Sequence, residues 1–157
     1  MMRKLLISLV AMLPLMLIYS LAYAGECNQQ CQKKAVDTYF EQLSSIYRKG
    51  SKASDIDALF SSLSPSVHYE HLNYGASFNG SDWKQAFISN LNRGAYTSEQ
   101  NQSIRVEQYI HGNGFVAVAY SYGLIQKNGC WTPEGDQNLL ALFGLSNGQI
   151  SSVKEYW

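Results

Sequence analysis

Two of the chain's three histidines and a carboxylate fall within eight residues, Val67–Tyr74 (VHYEHLNY). An imidazole titrates close to neutral pH and can give or take a proton there. His68, Glu70 and His71 are therefore the first candidates for acid–base chemistry or metal ligation. Read as a strand, the stretch splits by alternation. Val67, Tyr69 and His71 share one face, and His68 and Glu70 share the other. His68 and Glu70 lack a third ligand, so no metal is expected. His111 adjoins Gly112 and is expected in a solvent-exposed turn. No Ser-His-Asp order, phosphate-cradling glycine loop or nucleotide fingerprint is visible, and Gly112-x-Gly114 is only a hairpin signal.

The thiols are the other reactive groups. Cys27, Cys31 and Cys130 allow three single pairings, each leaving one thiol over. Cys27 and Cys31, four apart, share a helix face, where a bridge along one turn is usually strained. Cys130 lies in a turn-rich loop that can reach the first helix. A Cys31–Cys130 or Cys27–Cys130 bond would close a loop of roughly 100 residues, worth about 4–5 kcal/mol.

The elements that must position these groups follow from periodicity. The first 24 residues read as a cleavable leader: Arg3 and Lys4, an apolar run Leu5–Leu21, and Ala22-Tyr23-Ala24 as the cleavage site. This predicts a periplasmic or secreted chain with no membrane attachment after cleavage, in a compartment that permits disulfides. Removing 24 of the 157 residues leaves one domain, 25–157. The leader carries two of the twelve basic residues and no acidic one, so the mature net charge is −2. With no basic stripe, nucleic acid is not an expected partner.

Ala35, Tyr39, Leu43, Ile46 and Tyr47 predict a first helix over 31–49, ended by Gly50. A second begins at Ser54, with Asp57 completing a capping box, and ends at Ser64-Pro65. Ser66–Tyr74 follows as a strand and Gly75–Gly80 as a loop; Ser81 caps a third helix over 82–93. From Gln102 the period becomes strand-like. Ile104, Val106 and Ile110 alternate with Arg105, Glu107 and Tyr109, then Phe115–Gln126 and Asn138–Ser146 are apolar on both faces. Asn147-Gly148 makes a tight turn into the last strand. Helices first and a strand meander afterwards is an α+β pattern.

The chain from about Val36 to Trp157 resembles the nuclear transport factor 2-like superfamily, which includes SnoaL-like cyclases and ketosteroid isomerases. The resemblance rests on AVDTYFEQL, DIDALFSSLSPSVHYE, NGSDWKQAF and LFGLSNGQISSVKEYW. It implies a cone: about three N-terminal helices packed on a curved, mostly antiparallel sheet, around a pocket open at the wide end. It also implies that the Val67/Tyr69 side faces inward. The isomerase branch implies an oxyanion-binding tyrosine on the first helix, a carboxylate base on the first strand and a protonated acid on a later one. This enzyme is a standard example of pKa tuning. Tyr39 matches the tyrosine, but the two acid positions fall near Tyr69 and Ala141. That specific isomerisation is not expected.

The function read from these residues is binding of a small apolar or aromatic molecule, with cofactor-free acid–base chemistry by His71 and Tyr39. Tyr69, Trp83, Tyr120, Tyr122, Phe143 and Trp157 are the expected pocket walls. The rival is a non-enzymatic module that forms a homodimer through the outer sheet face or docks into an envelope assembly. An open cavity holding His71 and Tyr39 would favour binding, and a cavity filled by Trp83 or Trp157 would favour the module.

Overall fold

The structure, a computed structural model, describes residues 27–136 and 138–157. The leader expected over 1–24 lies outside the described residues. Among those described, no helix is long and apolar enough to cross a membrane.

Helix α1 spans Gln29–Tyr47 and buries Val36, Tyr39, Phe40, Leu43 and Ile46 along one face. It begins two residues before the periodic pattern because Asn28 caps it, its Oδ1 accepting the Cys31 N–H at 3.0 Å. Helix α2 spans Ala53–Ser62; the Asp55 carboxylate accepts the Lys52 N–H at 2.7 Å, so the capping interaction sits two residues earlier than Ser54/Asp57. Helix α3 spans Gly80–Asn92 and is capped by Asn79, which accepts the Asp82 N–H at 2.9 Å, rather than by Ser81. Gly80 is required there, because a Cβ would come within 2.8 Å of Val67 Cγ1.

The strands are β1 (His68–His71), β2 (Ala76–Asn79), β3 (Gln102–Gly112), β4 (Phe115–Ile125), β5 (Trp131–Pro133), β6 (Leu139–Ser146) and β7 (Gln149–Tyr156). They form one unclosed sheet in the order β2-β1-β7-β6-β4-β3, with β5 beside β4. Among the described strands, β1 and β7 pair in parallel and the other pairs are antiparallel. The fold is α+β, three helices on a mostly antiparallel sheet, as expected. The stretch read as the loop Gly75–Gly80 is instead largely β2. A short 3-10 turn, Leu72–Tyr74, and Gly75 at φ +62° fold it back antiparallel on β1.

A bulge between Val106 and Gln108 corrects the β3 alternation. The extra residue flips every side chain beyond it. Tyr109 turns inward with Val118, while Ile110 turns outward and is 66% exposed. His111 is likewise not in an open turn. It is half-buried, stacked on Tyr109, and its Nδ1 lies 2.8 Å from Gln32 Oε1.

The disulfide joins Cys27 to Cys31, and Cys130 is a free, exposed thiol. This corrects the expected long-range bridge. Cys27 precedes the helix cap, so the pair does not lie along one helical turn, and its Cα atoms come within 5.2 Å.

Candidate functional site

β1 divides the histidine-rich stretch as alternation requires. On the outer face His68 Nε2 lies 3.3 Å from Glu70, which pairs at 2.8 Å with Lys154 of β7. The hydrogen bond to Lys154, ahead of all other influences, holds the Glu70 carboxyl below its ordinary value. These groups are committed to one another at the surface. On the inner face, Tyr69 and His71 stand in register with Val153 and Glu155 of β7.

Glu155 is the residue that pattern reading missed. It is only 5% exposed, and its hydrogen bonds come from two phenols, Tyr69 at 2.5 Å and Tyr120 at 3.0 Å. Among the described residues no cation pairs with it. A buried carboxylate without a counter-ion is costly to maintain. Burial first, and the Glu155 charge second, push the Tyr69, Tyr120, Tyr122 and Tyr39 hydroxyls well above the ordinary phenol value. These phenols therefore stay neutral, and Tyr69 and Tyr120 donate their hydrogens to Glu155. Its position was legible: Val153, Glu155 and Trp157 alternate onto the face that Val153 buries.

Trp157 closes the cluster. Its Nε1 donates to Tyr120 Oη at 2.6 Å, and its ring meets His71 edge-on with centroids 4.5 Å apart. Tyr74 leans on the other side of His71 at 4.4 Å. His71 is 5% exposed, and among the described residues neither ring nitrogen has a hydrogen-bond partner.

The remaining expected wall residues fill the cone. Trp83 stacks on Tyr69 at 4.5 Å, and Tyr39 packs edge-on against Phe143 at 5.1 Å. Tyr39 and His71 share no hydrogen bond among the described residues, so the proposed acid–base pair of these two is not assembled. Tyr122 packs edge-on against Tyr120 at 6.0 Å and Trp157 at 6.4 Å, and faces Tyr47 at 6.5 Å. Beyond that pair a small cavity of about 40 Å³ is lined by Ser44, Ser98, Gln102, Ser103 and Glu134 among others. Among the described residues no three His, Cys, Asp or Glu side chains are grouped to hold a metal ion.

No family model matches the sequence, and no curated protein is similar to it at the level of sequence. Solved structures are similar in shape. SalBIII, an epoxide hydrolase/cyclase-like enzyme of pyran ring formation in the polyether salinomycin, is 20% identical with a TM-score of 0.55, over 83% of this chain and 92% of its own. An epoxide hydrolase of Mycobacterium tuberculosis is 12% identical with a TM-score of 0.53, over 81% and 82%. A nuclear transport factor 2-like protein of unknown function from Burkholderia pseudomallei is 14% identical with a TM-score of 0.52, over 81% and 90%. The chain has the nuclear transport factor 2-like fold. At these identities the likeness is one of fold. Within that fold, Glu155 pairs across the sheet with His71 on one side and Ala141 on the other. The cone thus holds a carboxylate on the strand between those two positions.

Proposed function

We propose that this chain is an exported protein, periplasmic or secreted, whose cone binds a small apolar or aromatic molecule against Glu155. Export rests on the leader sequence of residues 1–24. The observation that carries the binding reading is the buried Glu155 carboxylate, held by Tyr69 and Tyr120 and, among the described residues, by no cation. Filling by Trp83 and Trp157 weighs toward a module without chemistry. The carboxylate weighs more, because an apolar residue would pack there without a desolvation cost of several kcal/mol. A carboxylate offers about four acceptor sites, and two are taken, so Glu155 can accept a ligand's O–H or N–H and act as its base. His71, beside Glu155, is the candidate acid.

Titration with 2-naphthol and with naphthalene tests this, followed by thermal shift. The hydroxylated ring should bind at least about tenfold more tightly, as one charge-assisted hydrogen bond allows, and Glu155→Gln should abolish the preference. Equal affinities for the two probes in the unaltered chain would remove the reading.

A second reading concerns the outer sheet face. Ile110, Phe115, Leu140 and Tyr156 are all more than 40% exposed there. Leu140 lies directly across from Tyr156 and from Ala119, which makes the patch contiguous over β4, β6 and β7. Such a surface supports a homodimer. Sedimentation velocity should give twice the monomer mass, and Leu140→Lys should return it to one; a monomer at micromolar concentration would exclude the dimer.

A further inference from the structure

We propose that the space bounded by His71, Tyr74, Tyr122 and Tyr120 is a cage for an indole-class ligand, a planar fused aromatic carrying one N–H or O–H donor, and that the chain's own Trp157 occupies it in this structure. The inference rests on the binding reading above and names its ligand.

The cage is visible because it is full. Around the Trp157 indole stand His71 edge-on at 4.5 Å, Tyr122 at 6.4 Å and 76°, and Tyr74 at 6.4 Å and 90°. Edge-to-face contacts of this kind suit any flat ring of that size. The polar end is more selective. Trp157 Nε1–H donates to Tyr120 Oη, whose single hydrogen is given to Glu155. Tyr120 can then only accept from whatever lies in the cage. A ring with a donor satisfies it, and a ring with only an acceptor leaves it unpaired. The unpartnered nitrogens of His71 adjoin the same space and are available to a polar substituent on the ring.

Trp157 is also placed to leave. It follows Tyr156, the last residue of β7, and so lies outside the β6–β7 ladder. Tyr74, the outer wall, is 74% exposed and sits on the short turn between β1 and β2. The indole is thus an internal competitor. Its cost to a ligand is a lowered apparent affinity set by the fraction of molecules with the cage open.

The test compares indole with benzofuran, the same shape with an acceptor in place of the N–H. Binding is read by calorimetry and by the melting temperature from circular dichroism. In Trp157→Ala, indole should bind at least tenfold more tightly than benzofuran and raise the melting temperature by several degrees at saturation. Trp157→Phe keeps an aromatic filler without the donor, so it serves if the alanine variant does not fold; the same ratio is expected. The unaltered chain should bind indole saturably but at least tenfold more weakly than Trp157→Ala. Equal affinity for indole and benzofuran in both variants would overturn the donor requirement. Saturable binding in the variants with none in the unaltered chain would show Trp157 to be a fixed wall and overturn the competition. Glu155→Gln separates this from the underlying reading: an unchanged indole-to-benzofuran ratio there removes Glu155 as the anchor while leaving the cage of Tyr120 intact.

Discussion

Replacing Glu155 by glutamine should leave the fold as stable as before, or more stable, while removing the site's base. The carboxylate is 5% exposed and accepts hydrogen bonds from Tyr69 and Tyr120. A hydrogen bond to a charged group contributes about 1.5–3 kcal/mol and a neutral one about 0.5–1.5. Weakening two such bonds therefore costs about 2–3 kcal/mol. Against this stands the desolvation of a buried carboxylate, several kcal/mol even after relaxation. The two nearly cancel, and the expected change lies between zero and a gain of about 2 kcal/mol, or up to roughly 1 M in the urea midpoint. Glu155→Leu should behave differently. It leaves both phenol hydroxyls unpaired at about 1–3 kcal/mol each, so it should unfold clearly earlier. The assay is urea unfolding at pH 7 followed by tryptophan fluorescence, with 2-naphthol binding measured on the same material. A loss above about 2 kcal/mol in Glu155→Gln would refute the reasoning, because it would make the carboxylate a structural keystone. A stable variant that no longer prefers the hydroxylated ring is the signature of a group held for function.

Three further outcomes follow. His71→Leu removes two buried, unpartnered nitrogens at similar volume and should hold or raise stability by about 1 kcal/mol while weakening ligand binding; a loss above about 2 kcal/mol in thermal or urea unfolding would mean the ring nitrogens are satisfied in solution. Alkylation of the native chain should label Cys130 alone, with Cys27 and Cys31 appearing after reduction; three native thiols by mass spectrometry would contradict the bridge. Tyr39, Tyr47, Tyr69, Tyr96, Tyr109, Tyr120 and Tyr122 have hydroxyls pushed upward, foremost by burial. A raised folded value means this stability is fully present below the unfolded phenol pKa of about 10 and is lost as pH rises above it, so phenolate absorbance from these groups should appear only together with unfolding.

How much of this was legible depends on how local the cause is. The apolar face of α1, the split of His68 and His71 onto opposite faces of β1 and the final β6–β7 hairpin follow from spacing alone, whereas the inward side of β1 came from the resemblance. The asparagine caps of α1 and α3 were passed over in favour of serine, cysteine or periodicity, which displaced the ends by two residues. β2 was hidden by its length of four residues and by the glycines that flank it. The bulge in β3 has no sequence signal as plain as a glycine, yet it decides that Ile110 faces out and Tyr109 in. Cysteine pairing turned on where the helix starts, a boundary of one or two residues. Glu155 was legible by alternation from Val153, but a search for histidines and aromatic walls does not ask where an acid in the last strand points.

The position of Glu155 shows why motif matching alone underestimates this cone. The isomerase pattern places acids on the first strand and on a later one, and at Tyr69 and Ala141 the chain has none. In the sheet, β7 runs between β1 and β6, so Glu155 has His71 and Ala141 as its cross-strand neighbours. Side chains directly opposite on one face stand about 5 Å apart at Cβ. A carboxylate one or two methylenes from its Cα can therefore serve much the same point inside the cone from any of the three strands. In this chain that point is met by the phenols of Tyr69 and Tyr120. For this chain the informative comparison is of interior positions paired across the sheet, with Glu155, Tyr69 and Tyr120 as the group that has to be explained.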